Sequence, residues 1–216
     1  MRLPGGGIVA LALGLLVSTA SAQRSFEDAV LPLGEYRAAD ARALAEAHVA
    51  ELRRLYDDVR RCAPELDFHQ PGIGFRKPRG KPQLAPHFSA WMVMDQSVTP
   101  SGGDLGARAA EAFHRYGSRL FQRLLAREPI RADARLGGYG LVLTWMRPGQ
   151  GDDQVGETLV VFADNAGVAE FIGGALGAGA FLARADVRLF DGQTDRTGVQ
   201  VPVDDAKVVR GGEACP

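Results

Sequence analysis

Cysteine is nearly absent. The 216-residue chain carries two, Cys62 and Cys215, so there is room for one bridge and no more. An excess of one charge is missing too. Lys and Arg number 25 against 26 Asp and Glu, a formal net charge of -1, which gives no electrostatic reason for a nucleic-acid partner. Histidine is sparse, with four residues, His48, His69, His87 and His114, and none of them forms an HxxxH or HExxH pair. No G-x-S-x-G nucleophile elbow occurs. The glycine clusters at Gly137, Gly138 and Gly140 and at Gly173, Gly174, Gly177 and Gly179 sit inside a strand pattern and after a helix. Neither offers the strand-to-helix turn that cradles a phosphate. No internal repeat or low-complexity tract breaks the chain.

Long hydrophobic runs are absent as well, except at the start. Arg2, the apolar run Ile8 to Val17 and the small-x-small triplet Ala20-Ser21-Ala22 make residues 1–22 a secretory signal peptide, too short for a membrane span. No cysteine follows the run, so a lipid anchor is not expected, and the exported chain does not span a membrane. Its destination is the periplasm or the extracellular space. In an oxidising compartment the pair Cys62 and Cys215 is expected to bridge. A loop of that length is worth about 4 to 5 kcal/mol in the chain-entropy account.

The periodicity of the rest outlines an α+β domain. Residues 23–63 read as a leader followed by an amphipathic helical arm: Ala41, Ala45, His48, Leu52, Leu55, Val59 and Cys62 recur four and three apart from Ala38 to Cys62, and Pro64 stops the helix. Residues 64–86, with five prolines and three glycines, read as a connector of little regular structure. From there to residue 216 the pattern gives a strand over 87–95 and a helix over 105–127, capped by Asp104 and buried through Ala109, Phe113, Tyr116, Leu120 and Leu124. A hairpin follows, with Tyr139, Leu141, Leu143 and Trp145 on one face of its first strand and Thr158 to Ala163 apolar on both faces. Then come a helix over 166–172 stopped by Gly173, a strand over 187–190, and an edge segment at Val199, Val201 and Val203. This βαββαβ order is that of a ferredoxin-like antiparallel sheet with helices on one face, preceded here by the N-terminal amphipathic helix.

Chemistry is thinly marked. Arg76, Lys77, Arg79 and Lys81 lie within six residues between prolines and form a stiff cationic stretch suited to an anionic surface, with Arg108, Arg115, Arg119 and Arg123 on the second helix able to add to its field. His69 and His87 flank the connector and, with Asp67, are the one set from which a metal site could be built. Asp152, Asp153 and Glu157 read as hairpin-turn residues. Ser89 shares a strand face with His87, and His48 reads as a packing residue. No cofactor is implied. The expectation is an exported, non-catalytic binding or assembly module of the cell envelope, whose contact surface is the arm or the basic connector. The alternatives are an exported hydrolase or metal-dependent enzyme built from Asp67, His69 and His87, and a small-ligand carrier lined by Trp91, Tyr139 and Trp145.

Overall fold

Strict alternation over residues 138–146 forces large residues to one side, and a computed structural model, which describes residues 25–78, 83–92, 103–147 and 156–209, places them in the core. Strands β3 (Gly138–Met146) and β4 (Gly156–Asp164) pair antiparallel without a slip, from Gly138 opposite Asp164 to Met146 opposite Gly156. Tyr139, Leu141, Leu143 and Trp145 are all 1% exposed or less, as are Leu159 and Val161 across from them. Each such side chain contributes roughly 1.5 to 3 kcal/mol by leaving water.

The chain is a mixture of helix and sheet. Around the hairpin the described strands make one six-stranded sheet in chain order: β1 (Leu66–Arg76), β2 (Ala85–Met92), β3, β4, β5 (Asp186–Asp191) and β6 (Thr194–Asp195). All neighbours are antiparallel except β2 and β3, which run parallel with His87 opposite Gly140. The expected order along the chain from β2 to β5 is present, but its spatial arrangement is not the ferredoxin-like one. That fold splits its βαβ unit with another strand, whereas here β2 and β3 are direct neighbours, β4 takes the other side of β3, and β5 returns beside β4.

The connector expected to lack regular structure contains β1. Its Pro71 falls where the register jumps between Phe68 and Ile73, a bulge that needs no N–H from it, and Pro86 precedes the first β2 residue paired with β3. The segment Val199 to Val203, expected at a sheet edge, joins no strand. It crosses the helical layer instead, where a Cβ on Gly106 would lie 2.4 Å from the Gln200 carbonyl oxygen.

The helical layer covers one face. A short α1 (Phe26–Ala29) leads to α2 (Ala39–Ala47) and α3 (Val49–Cys62), which break at His48 with φ -117° and ψ 21°. Ala41, Leu44, Ala45, Leu52, Leu55, Tyr56 and Val59 are buried in one core with the strands, so the expected arm is part of the domain. Asp104 caps α4 (Leu105–Ala112) by accepting the Ala107 N–H at 2.9 Å. A π-helical turn, Phe113–Gly117, joins it to α5 (Ser118–Leu125), and α6 (Glu128–Arg131) follows. The stripe Ala109, Phe113, Tyr116, Leu120 and Leu124 is buried throughout.

Asp164 caps α7 (Asn165–Ile172) through the Gly167 N–H at 2.7 Å. Gly174 then turns with φ 79°, and the stretch before β5, to which the periodicity assigned no element, forms α8 (Ala178–Arg184), whose Phe181 stacks on Phe171 at 4.4 Å. Every strand residue in the core cluster belongs to the face that meets these helices. Val160 and Phe162, from the second apolar side of β4, are half-buried on the other face. Among the described residues no helix is long and apolar enough to cross a membrane.

Candidate functional site

Because side chains alternate across a strand, the residues between the core positions form rows on the other face, which none of the described α-helices covers and which is called the uncovered face below. The first row runs Gly74, His87, Gly140, Phe162, Asp186 across β1 to β5. The second runs Ser89, Val142, Val160, Arg188, and the third Asp67, Trp91, Thr144, Thr158, Phe190. Glycines shape the first row. A Cβ on Gly140 would lie 2.3 Å from Phe162 Cε1, so the Phe162 ring lies over the bare backbone and faces His87, whose ring is 6.2 Å away at 29°. The Tyr36 hydroxyl and Leu31 occupy the space above Gly74 in the same way, 2.9 and 3.1 Å from a Cβ built there. That hydroxyl accepts the Phe75 N–H at 3.2 Å, and burial pushes its pKa up. Both glycines therefore let another side chain approach the backbone of the sheet closely.

His87 and Ser89 are 8% and 5% exposed, while Val142, Val160, Phe162, Arg188 and Phe190 are half-buried. The Thr144 and Thr158 hydroxyls meet at 3.1 Å. Arg188 pairs with Asp186 at 3.1 Å, which raises the Arg188 pKa. At the Phe162 end a cavity of about 180 Å³ opens between Leu84, Gly138, Phe162, Asp164, Arg184 and Asp186. The face thus has an apolar and aromatic centre, hydroxyls that can exchange hydrogen bonds, and an ion pair toward the β5 side. Such a surface can take up apolar groups and fix their orientation with a few polar contacts.

The residues singled out by sequence are distributed unevenly over this frame. Asp67 and His87 share the uncovered face, but Asp67 is opposite Trp91, four residues along β2 from His87 and about 13 Å away at strand spacing. His69 belongs to β1 beside the bulge. No group of three or more His, Cys, Asp or Glu able to hold a metal ion occurs among the described residues. Arg76 ends β1 on the uncovered-face side, and both it and Lys77 are exposed; Arg79 and Lys81 lie outside the described residues. Two members of the arginine row turn toward their own domain: Arg108 binds Glu157, and Arg119 reaches Glu65 and the Cys62 carbonyl. Cys62 ends α3, and Cys215 lies outside the described residues. The aromatics of the carrier reading are divided, with Tyr139 and Trp145 in the core and Trp91 on the opposite face.

One cluster escaped the sequence reading. Glu157 is no turn residue; it begins the buried face of β4 and is 0% exposed. Arg108 donates to it through Nε at 2.7 Å and Nη2 at 2.6 Å, Trp145 through Nε1 at 2.8 Å, and Arg147 through Nε at 3.0 Å. Burial pushes the carboxyl pKa up, and the hydrogen bonds from Arg108, Trp145 and Arg147 outweigh that and hold it below the ordinary value. The available signal was parity, since Glu157 falls in step with Leu159 and Val161.

His48 is a packing residue with a partner: Nε2 lies 3.0 Å from Asp133, whose carboxyl is held far below its usual range, chiefly by Arg135. No family profile, curated protein or solved structure matches the chain.

Proposed function

We propose that the protein is an exported binding module of the cell envelope and that its contact surface is the uncovered face of the sheet. The observation that carries this reading is the half-buried centre formed by Val142, Val160, Phe162 and Phe190, set in a sheet whose described α-helices pack on the other side. A partner with an apolar centre fits it, and exposed Arg76 and Lys77 at the β1 side favour acidic groups at that partner's rim. The arm is unsuited to the role first expected of it, because its apolar seam is spent on the core.

The test is site-specific photocrosslinking in the intact envelope, with the crosslinker at position 160 and, as control, at exposed Glu46 on α2. A discrete adduct from position 160 alone, lost on Arg76→Glu with Lys77→Glu, is the expected result. Equal labelling from both positions, or none from position 160, would refute the proposal.

A further inference from the structure

We propose that residues 199–209 form a pH-sensitive latch across the helical layer, closed by neutral His114 and released when that imidazole takes up a proton. The proposal is independent of the sheet-face reading. It starts from the π-helical turn Phe113–Gly117, a rare local form that carries His114 on the surface where the C-terminal segment crosses. Two hydrogen bonds hold the segment to this one residue. The Asp204 N–H donates to His114 Nε2 at 2.7 Å, and the Val209 N–H donates to the His114 carbonyl at 2.9 Å. Among the described residues the other anchors include Asp205, which accepts the Ala178 N–H at the start of α8, Gln200 against Gly106, and Val201, Val203 and Val208, which pack on the core. Residues 204–207 are otherwise exposed.

The chemistry of the switch is a change of role at one atom. Nε2 accepts the Asp204 N–H only through its lone pair, so the docked ring is neutral with its proton on Nδ1. A proton from solvent that binds Nε2 turns the acceptor into a donor aimed at another donor, and the contact to Asp204 is lost. The charged groups around the ring are Arg108 and Glu111 from α4 and Asp204, Asp205 and Lys207 from the segment itself, with Arg115 beside it in the turn. Burial, then Lys207, push the docked imidazole below its ordinary pKa, while Asp204, Glu111 and Asp205 act the other way.

The sign follows. The docked pKa is below that of the released ring, about 6.5, so docking is at full strength above that pH. It weakens as pH falls, by up to about tenfold per unit, until the docked value is passed. Between segment and helix lies a cavity of about 300 Å³ lined by Ala107, Ala110, Glu111, His114, Pro202 and Lys207, which release would open.

Amide hydrogen exchange on the full mature chain reads this directly, with each rate normalised to its intrinsic value at that pH. Between about pH 7.5 and 5.5, protection at the Asp204 amide should fall, toward a limit of about tenfold, while Leu141 in β3 is unchanged. In His114→Gln, which can still accept through its amide oxygen, Asp204 protection should be independent of pH. A flat wild-type profile, or the same decline in His114→Gln, would overturn the proposal. Nitrogen shifts of the wild-type imidazole give a second reading that needs no variant. An unprotonated Nε2 at pH 7.5 that titrates below about 6.5 supports the latch, and a proton on Nε2 at pH 7.5 refutes it.

Discussion

Replacing Glu157 by Gln changes one oxygen to an amide nitrogen and nothing in volume, yet it should be among the most damaging substitutions in this chain. The native carboxylate has two oxygens that receive four N–H donors, from Arg108, Trp145 and Arg147, at a site with no solvent exposure. Glutamine keeps one acceptor and points two new donors at donors already there. It also takes from Arg108, only 14% exposed at its side chain, the carboxylate it is paired with. Breaking a buried pair by removing one partner costs about 3 to 5 kcal/mol, and a retained hydrogen bond places Glu157→Gln near the lower end.

Urea unfolding followed by Trp fluorescence is the assay. With a slope of about 2 kcal/mol/M, the midpoint should drop by roughly 1.5 M with the slope unchanged. Arg108→Met combined with Glu157→Gln should lose less than the two single changes summed, because the second removes a charge the first has already stranded. The folded-state pKa of Glu157 lies below its unfolded value. Its contribution is therefore present in full above about pH 4.5 and lost as pH falls through the folded value, so the gap between wild type and Glu157→Gln should narrow on acidification. A midpoint shift worth under about 1 kcal/mol would refute the reasoning, since a wholly buried carboxylate with these partners cannot be neutralised so cheaply.

Two further predictions concern the sheet and the termini. Gly138→Ala should cost about 2 to 3 kcal/mol in the same assay, because its Cβ would meet the Ala163 carbonyl oxygen at 2.2 Å. Gly140→Ala should cost less, since the half-buried Phe162 ring in its way can rotate aside; equal losses would contradict this. For Cys62 and Cys215, the protein purified without reductant should gain the mass of two hydrogens on reduction, and two alkylatable thiols before reduction would exclude the bridge.

Local pattern carried much of the architecture. The alternation in β3, the stripe from Ala109 to Leu124 and the caps at Asp104 and Asp164 depend on neighbours a few residues away, and each is found where its spacing puts it. Strand β1 was hidden because its prolines argue against a ladder, and only the partner strand reveals that Pro71 lies in a bulge. The same limit hid α8, whose Ala and Gly content is poor in helical signal until Phe181 finds Phe171.

The sequence by itself determined which side of each strand and helix is apolar, because period and side-chain chemistry are properties of short stretches. Only the tertiary structure decided that β2 and β3 are neighbours, that the described α-helices pack on one face of the sheet, and that Arg108 meets Glu157 and His114 meets Asp204. Those contacts join residues 49 and 90 positions apart, and nothing local distinguishes a charge or an imidazole that will find such a partner from one that faces water.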